Sequence, residues 1–232
     1  MSFQRYFLLV CLSVSLPASG QQAAQGWGDP VKDSDGILVF ARPVPGSSFK
    51  AFRADTVLPA TLASVLALLD DFSACTRWVH QCREGRLVEE ASFNDKTFYQ
   101  ATNMPFPVKD RDYIMRAQLR MHEDKQGVTL TMTSLPDRLE ETSAIRIREI
   151  TGSYELRSIM SDQGNETVAL VWEQHIDPAG AIPTWLVNAM LVDIPFNSLR
   201  DFRELVSQEP YRSAELLFDA SGNIRGFKDY MP

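Results

Sequence analysis

Few residues of this 232-residue chain have the types and spacing that catalysis requires. The three histidines, His80, His122 and His175, lie far apart, and His175 lies in a predicted strand with a carboxylate, Glu173, two positions away. Alternate residues of a strand share a face, so this pair could transfer a proton. A solvent-facing or hydrogen-bonded pair is the commoner outcome. No glycine-rich phosphate loop, nucleophile elbow or paired-histidine metal motif occurs, so the sequence predicts no catalytic residue, metal or cofactor.

A charged triplet, Asp110-Arg111-Asp112, follows the aromatic-proline segment Pro105-Phe106-Pro107. Three adjacent charges could form a binding site. We favour a structural role, because loop carboxylates and arginines commonly hydrogen-bond to backbone groups that a sheet leaves without partners. The triplet is therefore predicted to fix the start of the next strand.

The composition indicates a folded, acidic protein. Hydrophobic residues make up 44% and charged residues 23%, which is typical of a globular domain. The net charge is −7 and the isoelectric point about 5.0. Nucleic acid is therefore not expected as a partner, because phosphate binding depends on clustered lysine and arginine. Strong permanent adhesion to anionic membranes is not expected either.

The N-terminus has the pattern of an export signal. Arg5 precedes an apolar run from Tyr6 to Leu16, and small residues at 17–20 suit cleavage after Gly20. We predict a signal peptide over 1–20, a polar linker over 21–28, and a periplasmic or secreted protein.

Export changes the interpretation of the cysteines. Cleavage removes Cys11 and leaves Cys75 and Cys82, and an even pair in an oxidising compartment predicts a disulfide. Within one straight helix, a separation of seven residues puts the Cα atoms about 10 Å apart, which is too far to bridge. The disulfide therefore requires a helix to end between the two cysteines.

Most of the chain before residue 177 alternates as strands do. In Tyr113–Met121 the odd positions are expected to face the core. A helix from Pro59 to Asp70 and a short turn or helical piece at 72–78 interrupt the strands. The segment 145–159 is expected to form one or two strands, broken near Gly152. The other predicted strands are 37–42, 49–57, 83–90, 96–103, 113–121, 128–132 and 167–176, which together indicate an α+β fold.

The most distinctive stretch is one long helix within 177–208, with Thr184 or Asp177 as possible caps and Pro195 as a possible kink. Its first half is apolar on nearly every side, so protein, ligand or bilayer must cover it all round. The run is too short to cross a bilayer, which needs about 20 apolar residues. Seven residues define one expected apolar stripe: Trp185, Ala189, Val192, Phe196, Leu199, Phe202 and Val206.

Large, flexible apolar groups dominate the positions expected to face inward. They are Tyr113, Met115, Met121, Met132, Trp172, Trp185 and Met190. Methionine fills irregular space and accepts varied partners. Ordinary core packing and a cavity for an apolar ligand both explain this set, and only the cavity also explains the helix that is apolar on all sides.

Two segments resemble the START domains, a family of lipid-transfer domains related to the steroidogenic acute regulatory protein. Asn103–Ile114 is similar to their Pro…Asp-Arg-Asp-aromatic segment, and Gly180–Asn188 to the start of their C-terminal helix. Trp78 matches a tryptophan that often follows their first long helix. The resemblance covers about residues 27–210.

The resemblance implies a helix-grip fold, in which a curved antiparallel sheet wraps a long C-terminal helix and leaves a tunnel for one lipid. The helix and nearby loops would act as a lid. In sterol-binding members a buried arginine and a carboxylate contact the ligand, and their positions here correspond to Ala117 and Thr102, which argues against a sterol. The residues predicted to contact lipid are Trp78, Tyr99, Tyr113, Met115, Met132, Trp172, Trp185, Leu186 and Met190.

We therefore expect a monomeric lipid-binding domain over 29–210, followed by a C-terminal extension over 211–232. It would bind one lipid, of acyl-chain or phospholipid type, touch membranes transiently and transfer the lipid between them. The main alternative is an enzyme of the same broad fold, a cyclase, aromatase or hydrolase, for which Glu173, His175 and Tyr99 are the candidate residues. A third possibility is a partner-binding domain whose interior is filled.

Overall fold

The structure is a computed structural model that describes residues 26–228, apart from the side chain of Thr184. The predicted signal peptide lies outside the described residues, as does the linker up to residue 25. Trp27, which the sequence analysis assigned to the linker, is buried against Phe40 and Ala51, and the Arg42 guanidinium lies 4.1 Å from its ring centroid. The linker prediction is corrected at this end, because an aromatic ring with apolar neighbours packs rather than extends into water.

Ten strands form one large sheet. They are β1 (Lys32–Ser34), β2 (Ile37–Pro43), β3 (Lys50–Leu58), β4 (Cys82–Ser92), β5 (Asp95–Thr102), β6 (Arg111–Met121), β7 (Gly127–Ser134), β8 (Ile145–Arg146), β9 (Glu149–Met160) and β10 (Glu166–Asp177). The spatial order is β1-β2-β3-β10-β9-β7-β6-β5-β4, and β8 pairs with β6. The pairing is antiparallel except between β8 and β6. The sheet curves around the C-terminal helix, which confirms the predicted α+β architecture.

One predicted irregularity lies elsewhere. The break expected near Gly152 falls between β8 and β9, at residues 147–148. Gly152 itself lies in regular register opposite Gln174 on one side and Met132 on the other. A Cβ atom at Gly152 would lie 3.3 Å from both Gln174 Cγ and Met132 Cε. The glycine therefore gives these two side chains room on the concave face.

Three α-helices and a 3-10 turn accompany the sheet: α1 (Leu62–Asp70), a 3-10 turn (Phe72–Ala74), α2 (Cys75–Trp78) and α3 (Thr184–Leu205). Thr61 caps α1, and its Oγ1 accepts a hydrogen bond from Ser64 N at 3.1 Å. Asp177 was expected as a possible cap of α3. Its carboxylate instead accepts a hydrogen bond from Ala179 N at 2.9 Å, in the turn that precedes the helix. None of the described helices is long and apolar enough to cross a membrane.

The two halves of α3 pack differently. In the second half Leu199, Phe202 and Val206 are fully buried, as the predicted stripe requires. In the first half Trp185 is 67% exposed, while Met190 and Leu191 face the protein interior. The predicted single stripe is therefore wrong over the first half, because a segment that is apolar on all sides gives no phase for the buried face.

The disulfide is formed between Cys75 and Cys82, whose Cα atoms are 5.9 Å apart. Helix α2 ends at Trp78, and the next residue, Val79, is extended. Gln81 then turns the chain with a φ of 64°. This geometry confirms the predicted disulfide and the predicted end of a helix between its two cysteines.

Residues 211–228 pack onto the domain rather than extending away from it. A 3-10 turn (Tyr211–Ser213) leads into a hairpin of β11 (Glu215–Phe218) and β12 (Ile224–Lys228). The Tyr211 hydroxyl donates a hydrogen bond to Asp71 Oδ2 at 2.7 Å. Ile224 belongs to the main hydrophobic core, and its carbonyl accepts a hydrogen bond from Asn94 Nδ2 at 2.8 Å. The C-terminal extension is thus part of the folded unit as far as residue 228.

Truncating Ile224 should destabilise the whole domain. Ile224 is 3% exposed, so Ile224→Ala removes buried methyl groups and leaves a cavity, at a cost of about 2–4 kcal/mol in the free energy of unfolding. Phe218→Ala in the same hairpin removes a side chain that is 50% exposed and should cost less than half as much. Urea unfolding of both variants tests this. Equal, small losses would mean that the hairpin does not share the core of the domain.

Candidate functional site: two apolar cavities on the concave face of the sheet

A large cavity lies between the concave face of the sheet and the α1–α2 region. It holds about 940 Å³ of empty space, counting the open space at its mouth. Small-molecule sites are usually concave and mostly apolar. The apolar part of its wall consists of Leu66, Leu69, Phe72, Cys75, Trp78, Val79, Phe93, Phe98, Tyr113, Met115, Ala117, Leu119, Leu130, Met132, Tyr154 and Trp172.

A smaller cavity lies under the first half of α3 and holds about 470 Å³, again counting open space. Gln174 lines both cavities. Beside it, the Phe52 ring of the smaller cavity meets the Trp172 ring of the larger one edge to face, with centroids 5.0 Å apart. The residues of the smaller cavity are Phe49, Lys50, Phe52, Gln174, Ile176, Pro178, Val187, Met190, Leu191 and Ile194.

The predicted lipid contacts divide into three groups. Trp78, Tyr113, Met115, Met132 and Trp172 come together in the wall of the larger cavity. Met190 lies in the smaller cavity. The last group, Tyr99, Trp185 and Leu186, lines neither cavity.

These three residues have different surroundings. Leu186 is buried at 5% exposure, and Trp185 projects into solvent. Tyr99 lies opposite Ile114 in the register of β5 and β6 and packs with it and Ala101 in a separate cluster on the convex face. Its neighbours Phe98 and Gln100 face the cavity instead, as strand alternation requires.

Charged groups meet at the β5 end of the larger cavity. Lys96 Nζ lies 2.7 Å and 2.9 Å from the two carboxylate oxygens of Asp70, and 3.5 Å from Glu90 Oε2. Burial raises the pKa of Asp70, although its bond with Lys96 opposes the shift. This pair could not be predicted from the sequence, because 26 residues separate the partners and neither belongs to a motif.

Several neutral polar groups of the cavity walls have no hydrogen-bond partner among residues 26–228. The indole N–H groups of Trp78 and Trp172 are buried and donate to nothing within residues 26–228. Gln100 and Gln174 are each 7% exposed, and their amides make no hydrogen bond with any group in the described part of the chain. Polar groups without a hydrogen-bond partner are rare in protein interiors, so these groups indicate that the cavities can accept a polar atom of a bound molecule.

Ala117 and Thr102 are the two positions at which sterol-binding members have an arginine and a carboxylate. Ala117 lines the larger cavity. Thr102 forms a hydrogen bond with Tyr113, whose pKa is raised by burial in the wall. Neither position supplies a charge to the cavity.

The candidate acid–base residues do not converge. Glu173 Oε1 lies 3.3 Å from Arg53 Nη1, and His175 Nε2 lies 3.0 Å from Ser47 Oγ. The Tyr99 hydroxyl donates to Asp112 Oδ2 at 3.3 Å. Because β10 presents Trp172 and Gln174 to the cavities, Glu173 and His175 face the other side of the sheet.

The charged triplet organises backbone, as the sequence analysis predicted. Arg111 is 2% exposed and donates to the carbonyl oxygens of Pro178 at 3.1 Å and Ala179 at 2.9 Å. Burial lowers the pKa of Arg111. Asp112 accepts hydrogen bonds from Arg146 Nε at 2.8 Å and from Thr142. Arg111 thereby joins the loop before β6 to the segment that leads into α3.

Two exposed aromatic side chains stand on the segments that Arg111 joins. Phe106, in the loop before β6, is 98% exposed, and Trp185, at the start of α3, is 67% exposed. Because Arg111 bonds to the segment just before α3, both aromatics project from the same end of the molecule. Large apolar groups that face water together often mark an interaction surface.

Comparisons with known proteins agree with this architecture. The family described as START domain matches residues 12–210. An uncharacterised protein of Pseudomonas aeruginosa is 30% identical over 188 residues, which cover 80% of this chain and 89% of that protein. The phosphatidylcholine transfer protein of Bos taurus is 25% identical over 190 residues, which cover 80% and 84%.

Solved structures extend the likeness to three dimensions. A STAR-related lipid transfer protein from Xanthomonas axonopodis superimposes with a TM-score of 0.70 at 28% identity, over 79% of this chain and 99% of that one. Human StAR-related lipid transfer protein 5 has the same fold, with a TM-score of 0.67 at 14% identity, over 82% and 90%. The hairpin at 211–228 lies beyond the residues that the family matches.

Proposed function

This chain belongs to the START domain family, and we propose that it binds one lipid of acyl-chain or phospholipid type inside the sheet and carries it between membranes as a monomer. The observation that carries the proposal is the pair of apolar cavities inside the domain, which share Gln174 as a lining residue. Each methylene group moved from water into such a wall contributes about 0.8 kcal/mol, so acyl chains can supply the affinity. The similarity to phosphatidylcholine transfer proteins supports a phospholipid.

Lipid transfer requires contact with a membrane and a route by which the lipid enters the cavity. We propose that Phe106 and Trp185 insert into the membrane interface, where aromatic rings are favourably placed. Trp185 belongs to the half of α3 that covers the smaller cavity. Membrane contact at this end would therefore reach the first half of α3, which must move when a lipid enters. The bilayer would then surround the apolar surface that α3 exposes as it moves.

The compartment is a proposal as well. The sequence of residues 1–20 has the pattern of a signal peptide, and a disulfide joins Cys75 and Cys82. Disulfides persist in oxidising compartments. Both features support an exported protein in the periplasm or the extracellular space.

A vesicle assay tests the transfer function. Donor vesicles would hold fluorescent phosphatidylcholine with a non-exchangeable quencher, and unlabelled acceptor vesicles would receive it. We expect the protein to raise the initial rate of fluorescence recovery in proportion to its concentration. A rate equal to that of vesicles alone, with phosphatidylcholine and with total bacterial phospholipid, would end the proposal.

Placing charges on the exposed aromatics should slow transfer without weakening lipid binding. Inserting a Phe or Trp side chain into the interface contributes on the order of 1.5–3 kcal/mol, so Phe106→Asp and Trp185→Asp together should lower the transfer rate by at least tenfold. Affinity for a lipid analogue in solution should change less than twofold. Phe218→Asp, at a residue 50% exposed on the hairpin, is the matched control and should leave the rate unchanged. Equal slowing by the control would mean that added negative charge, not the aromatic pair, is responsible.

A further inference from the structure

Gln174 is a lining residue of both cavities. It lies on β10, opposite Phe52 of β3 and Gly152 of β9 in the register of the sheet. Its side chain is more than nine-tenths buried. Its amide nonetheless makes no hydrogen bond with any group in residues 26–228.

The surroundings keep this amide accessible from the cavity. The amide atoms are not fully enclosed, so they offer two N–H donors and an acceptor oxygen to the cavity, where apolar surroundings make an unpartnered amide unfavourable. A Cβ atom at Gly152 would lie within 3.3 Å of Gln174 Cγ, so the glycine leaves space for the side chain. A methionine of similar length would fill the position without the polar cost. The missing partner is therefore best supplied by a molecule in the cavity.

The group that bonds to Gln174 should be neutral. The charged pair of Lys96 and Asp70 belongs to the β5 end of the cavity, four strands from β10 in the sheet order, and the two charges already neutralise each other. Lys50 lines the smaller cavity, but it is an exposed residue. A charged ligand group at Gln174 would lack a counter-charge in an apolar wall, and such burial is unfavourable.

We propose that the Gln174 amide donates a hydrogen bond to an ester carbonyl of a two-chain lipid, whose chains extend into the cavities on either side. This inference rests on the proposed lipid-binding function and adds the residue that distinguishes ester lipids. Two apolar spaces that share one neutral polar group match two apolar chains that meet at neutral ester linkages. Trp172, two residues away on the same face of β10, lines the larger cavity and packs against Phe52 of the smaller one.

Two phosphatidylcholines that differ only in their linkage test the inference. The diacyl form has ester carbonyls, and the dialkyl ether form has the same chains and head group without them. Each would displace a fluorescent phosphatidylcholine from the purified full-length protein. We expect the diacyl form to bind about tenfold more tightly, the usual scale for one buried hydrogen bond. One-chain lysophosphatidylcholine, which leaves one cavity empty, should compete more weakly than the diacyl form.

Variants test whether Gln174 causes the preference for the ester-linked lipid. Gln174→Met should bind the ester and ether lipids within twofold of each other, and its thermal unfolding midpoint should equal or exceed that of the wild type. Gln118→Met, on the same sheet but exposed and hydrogen-bonded to Asp95, should keep the tenfold preference. Gln174→Leu serves as a second variant if Gln174→Met does not fold.

The outcomes separate this inference from the proposed function. Equal binding of both linkages to the wild type, or an ester preference that survives in Gln174→Met, overturns the role of Gln174 while lipid binding stands. Lysophosphatidylcholine as strong as the diacyl form overturns the two-cavity arrangement. Failure of every lipid to displace the probe, or of the probe itself to bind, overturns the proposed function as well.

Discussion

Ala117→Phe is expected to abolish lipid binding while leaving the domain folded. Ala117 is a small side chain in the wall of the larger cavity, so a phenyl ring there occupies space that the proposed lipid fills. Displacing about four methylene groups at about 0.8 kcal/mol each lowers affinity by more than a hundredfold. Because the ring enters empty space, the free energy of unfolding should fall by less than about 1 kcal/mol. Titration of each protein with fluorescent phosphatidylcholine measures the affinity, and urea unfolding measures the stability.

The matched control is Ala169→Phe. Ala169 lies on β10 between Val168 and Leu170, two fully buried residues of the core, and its own side chain is partly exposed on the other face of the sheet. The control should bind the probe within threefold of the wild type. If both variants bound equally well, the lipid would not occupy the larger cavity. A loss of stability matching the loss of binding would instead mean that the cavity cannot accept a ring.

Fixing the first half of α3 to the strand beneath it is expected to stop lipid exchange. Phe49, just before β3, and Met190 of α3 both line the smaller cavity, so cysteines at these positions can be joined by a short bis-maleimide linker. A lipid under this half of α3 can leave only if the helix moves. We expect the exchange rate of a preloaded fluorescent lipid to fall by at least a hundredfold, with the bound lipid retained.

The second half of α3 supplies the control. Arg203 Nη2 donates to Thr56 Oγ1 at 2.5 Å, so cysteines at these two positions join segments that are already in contact. This cross-link should leave the exchange rate within twofold of the wild type. Undiminished exchange in the Phe49–Met190 protein would show that the lipid enters elsewhere, for instance at the mouth of the larger cavity. The test also decides whether Pro195, inside α3, divides a moving half from a fixed one.

Much of the fold was predictable because its strands alternate clearly. In β6 the residues Met115 and Ala117 are buried and Arg116 is exposed, as the sequence pattern required. The disulfide could be inferred because two cysteines remain after the predicted export signal is removed, and helix geometry then required α2 to end between them. These predictions depend on local periodicity and distance, which the sequence records directly.

The failures share a physical cause, which is burial on more than one side. From Lys96 to Thr102 every residue of β5 is buried, so the sequence shows no alternation that would have turned Tyr99 away from the cavity. The first half of α3 is apolar all round, so its sequence does not indicate which side is buried. Trp185 was therefore wrongly assigned to the buried stripe. Periodicity reports orientation only where one side meets water.

No local sequence pattern indicated which polar groups would line the cavities. Gln174 is one glutamine among alternating strand residues, and only the register with Gly152 and the two cavities that it lines distinguish it. The pair of Lys96 and Asp70 forms across 26 residues of sequence. Contacts of this kind depend on the strand order, which no single segment encodes.

Native mass spectrometry of the full-length protein, purified without detergent and then mixed with diacyl phosphatidylcholine vesicles, tests the central claim most directly. We predict a complex of one protein with one phospholipid, present at a level that rises with vesicle concentration and lost in Ala117→Phe. A spectrum that shows only the lipid-free protein at every vesicle concentration would contradict the claim that these cavities bind lipid.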